Sequence, residues 1–308
     1  SIGMDSSMRR FVLMLLVGTV ASLRVAVTGA GGKTGSLCFS KLHALPGTEV
    51  VGVVRSKSPK LLKRLAGLVG APVDACVHEV DVTKGPAPLA ALFREQQVDA
   101  LLIATSAVPK IKKLSILKVM LAKLLRRQGA RPAFRFAPGG TPEEVDWIGA
   151  KNQIDAAVSA GVPRVVFCSS MGGTQPDNFL NTIGSRPDGT GGQILFWKRK
   201  AEKYALESGL DVTVLHPGGL LDQPGGRQVV FGVDDTLLQR QVRSIPRDDV
   251  AETMVQSLFV GAMSNRSLDL CAEERTRLPG GLLSAMLASS LLGNCDYSIT
   301  PGEPKSQF

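Results

Sequence analysis

The sequence predicts an α/β fold: a doubly wound parallel sheet (a Rossmann-type fold) in one domain with loop insertions. Segments with a strand pattern alternate with segments with a helix pattern over most of the 308 residues. The candidate strands, such as 100–104 and 164–168, are continuous apolar runs, which are typical of strands covered on both faces. Hydrophobic residues make up 44% of the chain and charged residues 20%, which is enough for a sizeable core. Strands joined by helices in this way connect through right-handed crossovers into a parallel sheet.

Six strands and six helices are predicted in alternation. The strands are 23–28, 49–54, 75–80, 98–104, 164–169 and 211–216, and the helices are 33–45, 59–69, 87–97, 143–161, 195–209 and 248–262. The predicted organisation is a leader at 1–22, a domain at 23–272 with a basic insertion at 109–140, and a C-terminal helix and tail at 273–308. The tail has one helical pattern, at 282–292, and ends in a polar sequence with Pro and Gly that is expected to be loosely held.

The first strand runs directly into a glycine-rich turn and a helix. Glycines at 29, 32 and 35 give the spacing G-x-x-G-x-x-G. In a dinucleotide site, Gly29 allows a sharp turn, Gly32 lets the backbone approach a pyrophosphate, and Gly35 lets the helix pack close to the sheet. The amides at the start of the helix then point at the phosphates. The residues expected to bind a nucleotide here are Gly29, Gly31, Gly32, Lys33, Thr34 and Gly35.

The end of the second strand predicts which nucleotide binds. A carboxylate at this point would accept a hydrogen bond from the ribose 2′-OH of NAD, but residues 53–57 contain no acid. Arg55 is instead expected to bind the 2′-phosphate of NADP, helped by Lys33 and by Ser56 or Lys57. The alternative interpretation is a solvated arginine at a strand end. We therefore expect NADP rather than NAD as the cofactor.

Residues after the later strands complete the expected site. Asp81 either caps the turn that follows it or accepts a hydrogen bond from the adenine amino group. Thr105 and Ser106 end the fourth strand, where small residues let the cofactor ribose lie close. The Gly- and Pro-rich segments 171–193 and 217–235 follow the fifth and sixth strands. Because ligands of open α/β sheets bind beyond the carboxyl ends of the strands, we expect these segments to form the substrate wall.

A basic insertion lies between the fourth and fifth strands. Residues 100–142 contain no Asp or Glu and nine Lys and Arg residues, and the other 27 basic residues match the 27 acidic ones. Residues 111–127 have a helical pattern with leucines on one side. One interpretation is a solvated helix that packs its leucines on the body. The others are a lid, a contact for anionic lipid, or a docking site for an acidic protein partner through 110–135. The neutral body argues against nucleic-acid binding. The nine residues are Lys110, Lys112, Lys113, Lys118, Lys123, Arg126, Arg127, Arg131 and Arg135.

The five cysteines show no metal or disulfide pattern. There is no C-x-x-C pair, and the total is odd. Small buried thiols are expected, and no metal site is predicted.

Eight segments, in their order and spacing, resemble those of a known family. They are 28–35, 105–109, 145–149, 151–157, 170–174, 197–202, 217–222 and 246–251. Over about 23–290 the chain resembles the atypical short-chain dehydrogenases/reductases of the NmrA-like, NAD(P)-binding group, especially a plant and algal subgroup. The resemblance implies a Rossmann domain with NADP in the glycine crevice.

The resemblance also implies roles for individual residues. The active serine after the fifth strand corresponds to Ser170, or to Ser169. The lysine that holds the nicotinamide ribose corresponds to Lys198, and an asparagine on the preceding helix corresponds to Asn152. The residues expected beside the cofactor in this part of the chain are Lys198, Pro217 and Gly218.

The catalytic tyrosine of the wider superfamily is missing. It should lie four residues before the lysine, at Ile194, or at Phe196 if Lys200 is the counterpart, and neither residue has a hydroxyl group. Tyr204 follows Lys198 by six residues, which rotates it off that helix face. Reduction of a carbonyl group with a tyrosine as the acid is therefore not expected.

Two functions remain open. The first is an NADP-dependent oxidoreductase without the usual tyrosine, for which the remaining proton donors are Lys151, Ser170 and His216. His216 is alternatively a hydrogen-bonded histidine at a strand end. The second is a non-catalytic NADP-binding sensor or accessory subunit of a larger assembly.

The N-terminal segment has the outline of a targeting leader. Two arginines at 9–10 precede an apolar run at 11–20 and small residues at 21–22. The alternative is an additional packed or membrane-contacting element. Together with the plant and algal resemblance, a leader predicts a plastid location, and the cytoplasm is the alternative.

Overall fold

An eight-stranded sheet organises the fold, seen in a computed structural model that describes residues 22–124, 132–186, 188 and 190–298. Its order is β3-β2-β1-β4-β5-β6-β8-β7, and every pair of neighbours is parallel except β7 and β8. The strands are β1 (Leu23–Thr28), β2 (Thr48–Val54), β3 (Val77–Glu79), β4 (Ala100–Ile103), β5 (Arg164–Cys168), β6 (Asp211–Pro217), β7 (Arg227–Gly232) and β8 (Arg266–Thr276). The strand order reverses between β1 and β4, which is where ligands bind in doubly wound sheets.

Helices cover both faces of this sheet. They are α1 (Lys33–His43), α2 (Pro59–Val69), α3 (Ala87–Glu95), α4 (Lys113–Leu124), α5 (Ala150–Ala160), α6 (Phe179–Thr182), α7 (Ile194–Leu206), α8 (Arg247–Gln256) and α9 (Gly281–Ala288). A π-helix, Glu143–Gly149, leads into α5. Short strand pairs join Lys110–Ile111 to Phe134–Arg135 and Gly219–Leu221 to Ser244–Pro246.

The core lies in two layers, one on each face of the sheet. Successive residues of a strand point to opposite faces. Val25 and Val27 therefore pack with Phe39 of α1 in one layer, while Ala26 packs with Ile154 of α5 in the other. All five side chains are buried, with exposed fractions of 0–1%. Burial on both faces explains why the strands are continuous apolar runs.

The predicted fold class is confirmed, and all six predicted strands and six predicted helices are present. Two strands of the sheet were missed: β7 lies in a segment interpreted as loop, and β8 crosses the boundary placed at 272/273. β8 lacks an apolar run because buried polar residues, Ser267 and Asp269, alternate with its leucines.

The described part of the C-terminal segment packs closely on the sheet, and the polar end that is expected to be loosely held lies outside the described residues. Cys295 is buried, and Arg266 on β8 donates hydrogen bonds to the carbonyl groups of Ser289 (2.8 Å) and Leu292 (2.9 Å). The segment therefore belongs to the body up to residue 298. The leader at 1–21, residues 125–131 of the insertion and the last residues, 299–308, lie outside the described residues.

Among the described helices, none combines the length and the apolar character that a membrane span needs.

Candidate functional site

The glycine turn after β1 is held in a shape that only glycine permits. Gly29 has φ +72°, and a Cβ there would lie 2.7 Å from the carbonyl oxygen of Ala104 at the end of β4. A Cβ on Gly35 would overlap the carbonyl oxygen of Gly29, so α1 starts directly against the turn. The amide of Gly32 donates to the carbonyl of Gly29 at 2.7 Å. That bond holds the turn, and the backbone at the start of α1 lines the cavity and forms a cradle for an anion.

This cradle opens into a cavity of about 780 Å³ at the point where the strand order reverses. Its volume is in the range of small-molecule and cofactor pockets. The cavity is bounded by the glycine turn, the ends of β2, β3 and β4, the beginning of the insertion and α2. Its lining residues are Gly29, Gly31, Gly32, Lys33, Thr34, Val53, Val54, Arg55, Ser56, Leu61, Arg64, Val80, Asp81, Val82, Thr83, Ala104, Thr105, Ser106, Ala107, Val108, Pro109, Lys110, Ala137, Gly140, Val145 and Arg247.

The lining of the cavity is strongly cationic. Among its described lining residues, one is a carboxylate, Asp81, and five are cations. Arg55 follows β2 and is exposed, and Arg64 on α2 donates from its guanidinium group to the carbonyl of Gly31 in the glycine turn. Such a lining favours a ligand with several negative charges. The five cations are Lys33, Arg55, Arg64, Lys110 and Arg247.

Lys33 has a partner other than the one expected. Its Nζ lies 2.5 Å from Oδ2 of Asp222, and the other carboxylate oxygen of Asp222 accepts a hydrogen bond from Arg247. These two cations lower the pKa of Asp222, to which Lys33 contributes most. Lys33 and Arg55 line the same cavity, and their cooperation at a 2′-phosphate stays a prediction. Lys57 also differs, because its Nζ donates to the carbonyl of Asp74 at 2.7 Å.

Asp81, Thr105 and Ser106 line the cavity beside these cations. Oδ1 of Asp81 accepts from the amide (3.0 Å) and the hydroxyl group (2.8 Å) of Thr83, which caps the helical turn Val82–Lys84. The amide group of Gln153 donates to Oγ1 of Thr105 at 3.1 Å. Asp81 therefore has the capping contact that was one of its two interpretations.

Lys198 does not reach the cavity. It is buried on α7, and its Nζ lies 2.9 Å from Oδ1 of Asp146, whose side chain is fully buried in the π-helix. Burial disfavours the charged lysine, but the carboxylate of Asp146 outweighs this effect and raises the pKa of Lys198. Asp146 also accepts from the amide of Ala107, which lines the cavity. Lys198 thus supports a wall of the cavity from behind.

Three further residues expected beside the cofactor also lie away from the cavity. Nδ2 of Asn152 donates to the carbonyl of Val82 at 2.9 Å, which fixes the turn after β3. Gly218 is enclosed by backbone, since a Cβ there would overlap the carbonyl oxygen of Arg243, and Pro217 ends β6. None of these three residues is among the residues that line the cavity, and their contacts with a cofactor stay predictions.

The tyrosine of α7, Tyr204, has its partners on α5. The hydroxyl group of Tyr204 donates to Oδ1 of Asp155 at 2.5 Å, and that bond raises the pKa of Tyr204. Nζ of Lys151 bonds Oδ2 of the same carboxylate at 2.6 Å. Ile194 and Phe196 are buried. Tyr204 and Lys151 thus form a pair on the helix surface, away from the cavity.

A second cluster lies at the ends of β6 and β8, around His216. Its Nε2 is 3.0 Å from Oε2 of Glu202, and its Nδ1 is 3.1 Å from Oδ1 of Asp269. Tyr297 donates to Oε2 of Glu202 at 3.0 Å, and Ser169 donates to Oε1. Burial opposes charging of the imidazole, but the carboxylate of Glu202 outweighs burial and raises the pKa of His216. The interpretation of His216 as a hydrogen-bonded strand-end residue fits these contacts.

The segments 171–193 and 217–235 border this cluster, and their role as a substrate wall stays a prediction. None of their described residues lines the large cavity. They border a cavity of about 10 Å³ beside His216, which also includes Ser170. Oγ of Ser170 donates to the carbonyl of Met171 at 3.1 Å. The small cavity is lined by Ser170, Gly173, Thr174, Arg199, Glu202, His216, Asp234, Asp235, Asp269 and Cys295.

The helix of the basic insertion, α4, carries its apolar side chains outward. Leu114, Leu117 and Leu121 are exposed by 76%, 62% and 57%. These residues follow the spacing i, i+3, i+7, which places them on one helix face. The interpretation of a helix that packs its leucines on the body is therefore corrected.

Five residues of the two sites were not predicted from the sequence: Arg64, Arg247, Glu202, Asp269 and Cys295. For Arg64 a signal exists, because Leu61 and Arg64 are three residues apart on α2 and share the face that borders the cavity. The others depend on contacts between distant segments.

The profile of the NAD(P)H-binding family matches residues 29–259. The chain is 39% identical over 264 residues to the uncharacterized chloroplastic protein At2g37660 of Arabidopsis thaliana, covering 85% of this chain and 73% of that protein. It is 38% identical over 258 residues to sanguinarine reductase of Eschscholzia californica, covering 80% and 88% of the two chains. Its fold is similar to a short-chain dehydrogenase/reductase from Veillonella parvula in complex with NADP, with a TM-score of 0.55, 12% identity and coverage of 82% and 96%.

Proposed function

Because the chain belongs to the NAD(P)H-binding family of oxidoreductases, we propose that it is an NADPH-dependent reductase whose cofactor lies in the large cavity. One observation carries the choice of NADPH over NADH. Arg55 and Arg64 both line the cavity beside the end of β2, where a carboxylate would favour NADH. The guanidinium groups suit a 2′-phosphate, because each presents several N–H donors to its oxygens.

The residues of the cavity fit this cofactor. The amides of Gly31, Lys33 and Thr34 suit the diphosphate, since the positive end of the α1 dipole lies there. Thr105, held by Gln153, and Ala107, held by Asp146, fix the wall that follows β4. When bound, NADPH supplies the hydride for the reduction. The protein contributes a fixed cationic cradle and a wall of small side chains.

The missing tyrosine restricts the substrate class. A simple ketone needs a proton donor as its oxygen becomes charged, and no phenol is available at the usual place on α7. We infer an acceptor that takes up electrons readily without a phenol, such as an iminium ion or a quinone. The 38% identity to sanguinarine reductase supports reduction of a small organic substrate.

Calorimetry with NADPH and NADH tests the cofactor choice. Arg55→Ala and Arg64→Ala should each weaken NADPH binding by about 10- to 100-fold, since a lost charged hydrogen bond costs about 1.5–3 kcal/mol, and should change NADH binding less than about threefold. Lys57→Ala is the matched control, because Lys57 is a neighbouring cation that bonds the Asp74 carbonyl. An unchanged ratio of the two affinities would contradict the role of the arginines.

Consumption of NADPH tests the activity. The protein is mixed with NADPH and, in separate reactions, with an iminium salt, a quinone and a simple ketone. Oxidation of NADPH with the first or second, and not with the ketone, supports the proposal. Tight NADPH binding without consumption by any of the three would instead indicate a sensor or an accessory subunit.

We further propose that the protein works in the plastid. The similar protein At2g37660 is chloroplastic, and residues 1–22 have the composition of a leader. Fluorescent fusions of the full chain and of residues 23–308 test this proposal in plant or algal cells. Plastid fluorescence that depends on residues 1–22 supports it, and cytoplasmic fluorescence of the full chain contradicts it.

We also propose that α4 contacts an anionic membrane surface. Its exposed leucines give an apolar face, and the segment 100–142 contains nine basic residues and no acidic one. Apolar side chains combined with cations bind the interface of anionic bilayers. Vesicles of phosphatidylglycerol should bind the full chain, and vesicles of phosphatidylcholine should not.

Variants of the helix test which residues bind. Leu117→Ser should weaken binding to the anionic vesicles several-fold. Leu278→Ser, which changes a leucine exposed by 74% in the C-terminal part, should leave it unchanged. Absence of binding to either vesicle would contradict the membrane contact and favour a protein partner or a lid.

A further inference from the structure

The cluster around His216 brings together three side chains of the types that ligate transition metals. His216 on β6 and Asp269 on β8 are register partners in neighbouring strands. Cys295 comes from the C-terminal segment and completes the group. The three residues are 3%, 1% and 6% exposed, so water does not compete with their contacts. No residue of this trio lines the large cavity.

The distances between the three donor atoms fit one face of a metal tetrahedron. Nδ1 of His216 lies 3.1 Å from Oδ1 of Asp269 and 3.6 Å from Sγ of Cys295, and Sγ lies 3.8 Å from Oδ1. Tetrahedral zinc, with bonds of about 2.0 Å to N and O and about 2.3 Å to S, separates N from O by about 3.3 Å and S from either by about 3.5 Å. Each observed distance is within about 0.3 Å of that geometry.

Each of the three side chains also has a supporting contact. Nε2 of His216 faces Glu202 at 3.0 Å, and Oδ2 of Asp269 accepts from the amide of Asp235 at 2.7 Å. The amide of Asp234 donates to Sγ of Cys295 at 3.4 Å. Metal-binding histidines usually donate their second N–H group to a carboxylate, and ligating carboxylates are themselves hydrogen-bonded. The group therefore has the surroundings of a metal site.

The imidazole lies between two carboxylates, which creates a demand for positive charge. A neutral imidazole has one N–H group. If that group donates to Glu202, the lone pair of Nδ1 faces an oxygen of Asp269. Either a proton or a cation must lie between these two atoms. The thiol of Cys295 lies 3.8 Å from the same oxygen of Asp269 and can donate to it. A divalent ion would replace the protons of the imidazole and the thiol and bind all three donor atoms at once.

We propose that His216, Asp269 and Cys295 bind a divalent transition-metal ion, with Zn²⁺ as the natural occupant. The soft thiolate together with imidazole and carboxylate suits zinc rather than magnesium or calcium. The fourth position faces the small cavity of about 10 Å³, which has room for one water molecule. Because Cys295 lies in the C-terminal segment, the ion attaches that segment to β6 and β8.

Cobalt substitution of the full chain tests this proposal. The protein is freed of metal with a chelator and titrated with Co²⁺, which gives a thiolate charge-transfer band when sulfur is a ligand. One equivalent of Co²⁺, displaced by Zn²⁺, is the expected result. Cys295→Ser should remove the band and weaken Co²⁺ binding at least tenfold. Cys76→Ser is the matched control, because that sulfur also lies near a histidine, 3.7 Å from Nε2 of His43, without forming part of the trio.

A second variant keeps the test decisive if Cys295→Ser folds poorly. His216→Arg keeps a cation between Glu202 and Asp269 but removes a metal ligand. The melting temperature of the wild type should fall on addition of chelator, and that of His216→Arg should not change. Two results would overturn the metal site. One is the absence of a cobalt band in the wild type, and the other is a wild type that is insensitive to chelator and as stable as His216→Arg. Either result would show that a proton, and not a metal ion, lies between His216 and Asp269.

Discussion

The buried pair of Lys198 and Asp146 gives the sharpest prediction of this structure. The resemblance to short-chain dehydrogenases/reductases implies that Lys198 holds the cofactor, whereas its Nζ lies 2.9 Å from Asp146, and the two side chains are 7% and 0% exposed. Lys198→Met has a similar length and removes the cation. It leaves a buried carboxylate whose neighbour is the Ala107 amide, at 3.3 Å.

The expected cost follows from this geometry. Removal of one partner of a buried ion pair costs about 3–5 kcal/mol. For a chain of this size, each kcal/mol changes the melting temperature by about 2–4 °C, so Lys198→Met should melt about 6–20 °C below the wild type. The double variant Lys198→Met/Asp146→Leu should recover part of this loss, because it removes the unpaired charge as well. Lys203→Met, on the same helix with a side chain 55% exposed, should change the free energy of unfolding by less than about 0.5 kcal/mol.

Calorimetric unfolding and NADPH titration check this reasoning together. We expect Lys198→Met to bind NADPH within about tenfold of the wild type whenever it is folded. A variant as stable as the wild type that has lost NADPH affinity by more than about 100-fold would refute the structural role. It would place the lysine at the cofactor, as the resemblance implies.

Three further predictions concern separate parts of the molecule. Gly35→Ala should abolish measurable NADPH binding, because its Cβ would overlap the glycine turn, whereas Gly67→Ala, with nothing within 4 Å of the new Cβ, should bind normally in the same fluorescence titration. Asp211 has a pKa below its usual 3.8, since Ser264 and Arg164 outweigh its burial. Its stabilising contribution is therefore present above about pH 3.8 and is lost as the pH falls through the lowered pKa. Asp211→Asn should lower the melting temperature at pH 7 and have little effect near pH 2, and equal effects at both would contradict this. Tyr204→Phe should keep the rate of NADPH oxidation within about twofold, and a loss above tenfold in a steady-state assay would show a catalytic phenol.

The cofactor half of the molecule was predictable because its determinants are local in the sequence. The strand β1, the turn at Gly29 and the start of α1 are consecutive, and the residue that follows β2 is set by that strand alone. Arg55 could therefore be placed beside the cavity from the order of elements. Arg64 could have been placed there as well, because it lies three residues after Leu61 on α2 and therefore on the same helix face.

The role of Lys198 was not predictable by the same reasoning. Its partner, Asp146, lies on a separate element, the π-helix Glu143–Gly149, and the sequence indicates one continuous helix there. From the sequence alone, a lysine at this position is compatible with a contact to the cofactor and equally with a buried ion pair. Only the packing of α7 against the π-helix shows that the ammonium group meets a buried carboxylate.

The cluster around His216 was even harder to predict from the sequence. Its three metal-type side chains come from β6, β8 and the C-terminal segment, so their spacing of 53 and 26 residues forms no motif. They meet because β8 pairs with β6. The hydrophobic pattern does not predict β8, since buried polar residues interrupt its apolar run. A motif search for metal sites detects ligands that are close in sequence, and it misses ligands that a sheet register brings together.

The two sites therefore depend on different parts of one sheet, and this separation has a consequence. The cavity is built at the ends of β1, β2 and β4, and the His216 cluster at the ends of β6 and β8, with β5 between β4 and β6. No ligand of the proposed metal lines the cavity. Chelation should thus loosen the C-terminal segment, seen as faster amide exchange around Cys295, while NADPH affinity changes less than about threefold. A large loss of NADPH affinity on chelation would mean that the two ends of the sheet are coupled.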